Sequence, residues 1–214
     1  YVVTRELARA AGVLLAESMD EFRDLIRLAT MLRSRPVRGL RLAAMSNAGF
    51  ESVSFADNTG PFSFAPLAPG TREEIERLLS LSRLERIVTI DNPLDVNPML
   101  GDSAFTEVAA ALLGDESVDL GIIGCVPLTG ALQTLPKGAG HTEDIGSEES
   151  VVERLVGLWR TTSIPWAAVV DAGPRYDAMA LRLEGGGIPS FRSADRAMRA
   201  LARWTEWSLR YGRK

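Results

Sequence analysis

The 214-residue sequence has one cysteine, Cys125, and one histidine, His141. A single thiol excludes an internal disulfide, and nothing resembles a signal peptide, so a reducing cytoplasm is the expected compartment. One histidine and one cysteine far apart make no ligand cluster, and no metal site is expected. No apolar run approaches the length needed to span a membrane. The basic residues are dispersed and the net charge is −4, which leaves no basic stripe for a nucleic-acid backbone. Neither nucleic acid nor membrane is expected as a partner. An initiating methionine is also missing, and the start at Tyr1 suggests a piece of a longer chain.

What is present is the composition of a globular chain, 46% apolar and 24% charged, long enough to bury a full core. Residues 3–11 show a helical pattern ending at Gly12, residues 13–15 read as a short strand, and Ser18 with Glu21 forms a capping box for a helix to about Leu32. Residues 34–39 read as a polar connection. A strand over 42–45 and a helix over 51–58 follow. Further on, the pattern predicts at most a short strand at 64–67, a helix capped by Thr71 with Glu74, and either strand or loop at 86–90. The Asn/Asp/Pro-rich residues 91–98 look too irregular for an element. Helices are expected over 105–113, 148–161, 176–185 and 194–211, buried strands over 118–126 and 165–170, and an edge strand at 188–191. Strand and helix alternate throughout, which predicts an α/β fold: a mostly parallel sheet covered on both faces, preceded by a short αβα segment.

The stretch from Arg41 to Gly60 is the most suggestive. An apolar run leads into Ser46, Asn47, Ala48, Gly49 and Phe50, and a helix follows, so the turn stands at the carboxyl end of a parallel strand. Helix entrances carry unpaired N–H groups and the positive end of the dipole, where a phosphoryl group or carboxylate fits. The plainer alternative is an ordinary βα turn with Asn47 as helix cap.

Five short motifs in order resemble a known family: Ala8-x-x-Ala11-Gly12-Val13; Ser46-Asn47-Ala48-Gly49; Asn92-Pro93-Leu94-Asp95; Val118-Asp119-Leu120 leading to Pro127; and Gly187-Ile188-Pro189-Ser190-Phe191. Together they resemble the CoA-ligase domain of the ADP-forming acetyl-CoA (acyl-CoA) synthetases, relatives of succinyl-CoA synthetase. The resemblance covers nearly the whole chain. It implies a flavodoxin-like three-layer domain over residues 40–214, with residues 1–39 leading in from a preceding ligase domain. It also implies a reaction, reversible, in which acyl-CoA, phosphate and ADP give the free acid, CoA and ATP through an acyl phosphate and a phosphohistidine. The complete enzyme would join CoA-binding, first ligase and ATP-grasp domains to this one. CoA, ADP or ATP, and Mg²⁺ would be held in that full enzyme rather than by this domain alone. The family's phosphohistidine motif, Ser-His-Thr-Gly-Ala-Leu-like, is absent here, so no catalytic residue is expected in the chain and the chain alone should be inactive. A non-catalytic regulatory or scaffold domain, within an acyl-CoA-sensing or protein-acetylating polypeptide, is the other reading.

By the same resemblance, residues 46–50 present a helix entrance to the phosphohistidine. Family members more often show Asn-Ala-Gly-Gly followed by Pro-Gly, whereas this chain continues Phe50-Glu51-Ser52. Phe50 narrows the approach, and a charged Glu51 in the first turn would repel phosphate. Asn92 and Asp95 are candidate linings of the same site, or else a proline-fixed turn; Thr129 and Gly130 follow a buried strand and are placed to contact an anion. Gly140-His141-Thr142 superficially matches the phosphohistidine loop, but the acidic neighbours Glu143, Asp144, Glu148 and Glu149 disfavour phosphorylation, and His141 is expected to be a solvated loop residue. Cys125 reads as core, and Trp159, Trp166, Trp204 and Trp207 as packing or interface residues.

Overall fold

In the computed structural model, which describes residues 1–212, eight α-helices surround one sheet of six strands, all parallel. The strands are β1 (Arg41–Ser46), β2 (Ser63–Phe64), β3 (Leu94–Asp95), β4 (Leu120–Gly124), β5 (Trp166–Val169) and β6 (Ser190–Phe191). The helices are α1 (Val2–Ala10), α2 (Met19–Met31), α3 (Gly49–Asp57), α4 (Pro69–Leu81), α5 (Asp102–Leu113), α6 (Val151–Thr161), α7 (Asp177–Gly185) and α8 (Ala194–Tyr211). The main path through the sheet is β2-β1-β4-β5-β6. With β3 set aside, this is the doubly wound flavodoxin-like order, in which ligands meet the carboxyl ends of the strands beside the first one.

The central strands are those whose sequences are apolar runs. β4 and β5 are buried at every position and β1 at all but Arg41, as expected for strands covered on both faces. Gly121 lies between layers: a Cβ there would collide with Leu113 of α5. Trp166 of β5 meets Trp159 of α6 edge-on, with ring centroids 5.3 Å apart. Cys125 is buried just past β4, and burial raises its thiol far above the ordinary range, as a core residue requires.

Three local expectations are corrected. Residues 13–15 form no strand; the segment is fastened to α8 instead, where Trp207 Nε1 donates to the Gly12 carbonyl at 2.7 Å and Arg203 to that of Leu15 at 2.6 Å. The N-terminal segment is therefore two helices joined by an extended strap. α4 begins at Pro69, not at Thr71; proline is favoured in a first turn because its missing N–H has no partner there anyway. Residues 86–90, open between strand and loop in the sequence, are loop. β3, in the segment that looked irregular, adds two residues to the β1 edge, pairing Met45 with Leu94 and Ser46 with Asp95.

The Ser18 cap does form: its hydroxyl accepts the Glu21 N–H at 3.1 Å, while Glu21 reaches back to the Glu17 N–H at 2.6 Å. α2 packs on α8, where Asp24, 2% exposed, takes two bonds from Arg196 at 2.5 and 3.0 Å. Arg35, in the link to β1, lies 3.6 Å over the Trp159 ring and donates to the carbonyls of Trp159, Thr162 and Ile164 at the end of α6. Stacking plus carbonyl capping suits the planar guanidinium.

Candidate functional site

β1, β3 and β4 end together at the carboxyl edge of the sheet. The chain leaves β1 through Ser46, Asn47 and Ala48 and enters α3 at Gly49. Asn47, 1% exposed, does not cap the helix. Its side chain donates to the Val126 carbonyl at 2.9 Å and accepts the Val126 N–H at 2.8 Å, prolonging the β1–β4 ladder with an amide that copies a peptide. The N-cap is Ala48, with no side-chain cap bond, and its own N–H goes to Ser46 Oγ at 3.1 Å. The N–H groups of Gly49 and Phe50 have no acceptor among the described residues. Those two donors, at the positive end of α3, are what an anion could take. Phe50, the second residue of α3, is 60% exposed.

Glu51 departs most from expectation. Its side chain does not reach solvent at the helix entrance but turns inward: the residue is 0% exposed, and its Oε2 accepts a 2.6 Å bond from Ser46 Oγ. A Cβ on Gly124 of β4 would land on that carboxyl, so a side chain there would have to displace it. Oε1 is buried with no partner. Burial, with a smaller push from the Asp171 charge and against the Ser46 bond, raises the carboxyl to about 8. The expected negative charge in the first turn is thus replaced, at neutral pH, by a protonated acid. Glycines inside an apolar strand run mark close approach by a neighbour, and Gly124 was the sequence signal for this pocket.

Asn92 has no polar atom left over. Its Oδ1 accepts the Ala44 N–H at 2.9 Å, and its Nδ2 donates to Leu42 and Ala65 carbonyls at 2.8 and 3.1 Å. It fills the gap between β2 and β3 along β1. Asp95 does stand at the loop: a Cβ on Gly49 would be 3.0 Å from its Oδ2, while Oδ1 accepts the Asn97 N–H at 3.0 Å. Its charge sits beside the same amides that face solvent, which weakens any lone anion there. Thr129 bonds the Pro98 carbonyl and receives the Ala131 N–H at 3.2 Å, tying the loop after β4 to the one after β3. Gly130 has open space around its Cα.

Residues 131–147 form an irregular loop fastened by acids. Glu143 Oε2 accepts the N–H groups of Thr134 and Leu135 at 2.7 and 3.1 Å, and Asp102 Oδ1 accepts those of Gln133 and Val151 at 2.9 and 2.7 Å. The Asp102 role was not visible in the sequence, where the helix was expected only from residue 105. His141 is partly buried rather than solvated, with Nδ1 enclosed and unbonded. A groove of about 520 Å³ lies elsewhere, between α2 and α8, but its walls are the already paired Glu21, Asp24, Arg196 and Arg203. Among the described residues no group of three or more His, Cys, Asp or Glu is placed to hold a metal ion, and no helix is long and apolar enough to cross a membrane.

No protein-family model matches the chain. A comparison with curated proteins gives the alpha subunit of an ADP-forming acetate–CoA ligase II from Pyrococcus furiosus, 30% identical over 198 residues, covering 91% of this chain and 39% of the relative. The resemblance carried by the five motifs holds. A crystal structure of a Pyrococcus horikoshii OT3 protein superposes with a TM-score of 0.78 at 25% identity over 100% of this chain and 45% of the other. A dinucleotide-forming acetyl-coenzyme A synthetase 1 of Candidatus Korarchaeum cryptofilum, in its apo form, shares the fold with a TM-score of 0.74 at 21% identity, over 98% of this chain and 43% of the other. The chain therefore spans about two-fifths of the length of the curated relative, and its fold is shared by a part of that length in the solved structures.

Proposed function

We propose that the chain is the second CoA-ligase domain of an NDP-forming acyl-CoA synthetase, and that its β1–α3 turn holds the phosphoryl group during transfer. The match over 91% of the chain to an acetate–CoA ligase subunit carries this reading. The free amides of Gly49 and Phe50 add to it, because phosphoryl transfer needs positioned donors more than covalent chemistry from the protein. Asn47 and Ser46 keep the donors in place by fixing the loop to β4 and to the Ala48 amide. The chemistry is acyl-CoA, phosphate and ADP to acid, CoA and ATP, with the phosphohistidine on the preceding ligase domain. A CoA-binding domain and an ATP-grasp domain are the other partners; the ATP-grasp domain takes nucleotide and Mg²⁺, and the working compartment is the cytoplasm.

A regulatory or scaffold role is the second reading, favoured by one observation: Phe50 and Glu51 stand where the resembled family more often has Gly and Pro. The full-length protein decides between them. Incubated with acetyl-CoA or longer acyl-CoAs, phosphate, ADP and Mg²⁺, it should form ATP and release CoA. Binding of acyl-CoA without ATP formation from any of them would favour the regulatory role.

A further inference from the structure

The pocket beneath the α3 entrance joins three observations: a carboxyl fully enclosed at Glu51, its bond through Ser46 to the Ala48 amide, and an unpartnered Oε1. We propose that Glu51 is the positioning residue of the anion loop, holding residues 46–48 through Ser46, so that anion binding at the Gly49 and Phe50 amides is coupled to its proton. This rests on the anion-site reading above. Ser46 Oγ donates to Glu51 Oε2 and accepts from the Ala48 N–H, so a change at the carboxyl reaches the loop through a single oxygen. With the proton on, the helix entrance keeps its positive end for the incoming anion. With the proton gone, a buried negative charge sits under the first turn and adds to that of Asp95.

The surroundings make the proton the natural state. Asp171, past the end of β5, adds negative potential, and its own carboxyl is raised by burial and by Asp195, with Arg192 pulling the other way. The Cys125 thiol is close enough to feel the Glu51 charge. Ser46 comes from β1 and Gly124 from β4, while α8, packed against α3, buries only uncharged side chains. Among the described residues no arginine, lysine or histidine is paired with Glu51.

The test is a ¹³C NMR titration of the 214-residue chain from pH 6.5 to 9.5, following the Glu51 side-chain carboxyl carbon and the backbone carbonyls of residues 46–50, with and without sulfate. Sulfate keeps its charge over this range, so its own titration does not enter. Without sulfate, the Ser46 and Ala48 carbonyls should follow Glu51 through a midpoint near 8. With sulfate, the dissociation constant should rise about two- to fivefold between pH 7 and pH 9, the size of a charge effect at a helix end. Glu51→Gln should flatten both responses. Ser46→Ala, the variant to use if Glu51→Gln does not fold, should leave Glu51 titrating while the Ala48 carbonyl no longer follows. A loop that ignores the Glu51 titration, or the same sulfate pH profile in wild type and Glu51→Gln, overturns the proposal. Sulfate shifts absent from residues 46–50 at every pH, while the loop still tracks Glu51, would instead remove the anion site and with it the coupling.

Discussion

Two carboxylic acids stand at opposite ends of the β1–β4 pair and are solved in opposite ways. At the amino end, Asp119 is 5% exposed and receives three bonds of 3.0 Å from Arg41, two from the guanidinium and one from the backbone N–H. Burial alone would raise its carboxyl, but the Arg41 bonds and charge outweigh that and hold it below the ordinary range. At the carboxyl end, Glu51 is more deeply enclosed, has one hydroxyl for a partner, and is raised. The first end is built for stability. The second keeps a group that costs stability, and the turn it supports carries the free amides. Strain and unpaired groups of this kind concentrate where a fold serves a function.

The largest expected effect breaks the second end. Gly124→Ala places a methyl on the Glu51 carboxyl and should destabilise the chain by about 3 kcal/mol or more in a urea melt. Adding Glu51→Ala should recover much of that, since the new methyl then fills the space left by the acid. If the double variant is no better than Gly124→Ala alone, the collision is not with Glu51.

Next comes the acid itself. In the unfolded chain Glu51 titrates near 4.5 and in the folded one at about 8, so between these values the folded state binds more protons and stability falls as pH rises. The penalty is absent below 4.5 and complete above 8. At pH 7 Glu51→Gln, which is neutral in both states, should be more stable by about 2–3 kcal/mol, the gap widening toward pH 8 and closing toward pH 4.5. Thermal melts across that range check the sign; a gap that does not change with pH would mean the carboxyl is charged in the folded chain.

At the first end, Asp119→Ala should cost about 2 kcal/mol by removing a buried acceptor of three bonds, discounted because Arg41 is half exposed. Here the sign is reversed. The folded carboxyl is depressed, so its contribution is present above the unfolded value of 3.8 and lost as pH falls through the folded one. Asn92→Ala, which reopens the gap along β1, should cost about 1–2 kcal/mol, measured the same way.

The two ends also differ in how far they could be read from sequence. β1, β4 and β5 were legible because strands buried on both faces are apolar runs, and α2 because Ser18 and Glu21 cap it by a local rule. What escaped depends on distant partners. β3 is two residues long, and its place beside β1 is prepared by the Asn92 side chain, which no periodicity reports. The strand expected at 13–15 fails because α8, nearly two hundred residues later, supplies Trp207 and Arg203 to the carbonyls of Gly12 and Leu15. In the site, the turn at residues 46–50 was found from its strand–turn–helix pattern. The buried course of Glu51 was not, because a first-turn glutamate ordinarily faces solvent, and only Gly124 in the neighbouring strand admits it.

The claim that backbone donors of this turn hold the phosphoryl group is tested most directly at Gly49. Ala48 is extended (φ −142°, ψ 124°) and Gly49 is the first helical residue, a position where proline is accepted. Gly49→Pro and Gly49→Ala both add a Cβ beside Asp95, but only proline deletes the N–H. In the full-length protein, ATP formation from acyl-CoA, phosphate and ADP should be about 100-fold slower in Gly49→Pro than in Gly49→Ala. Equal rates in the two folded variants would contradict the claim.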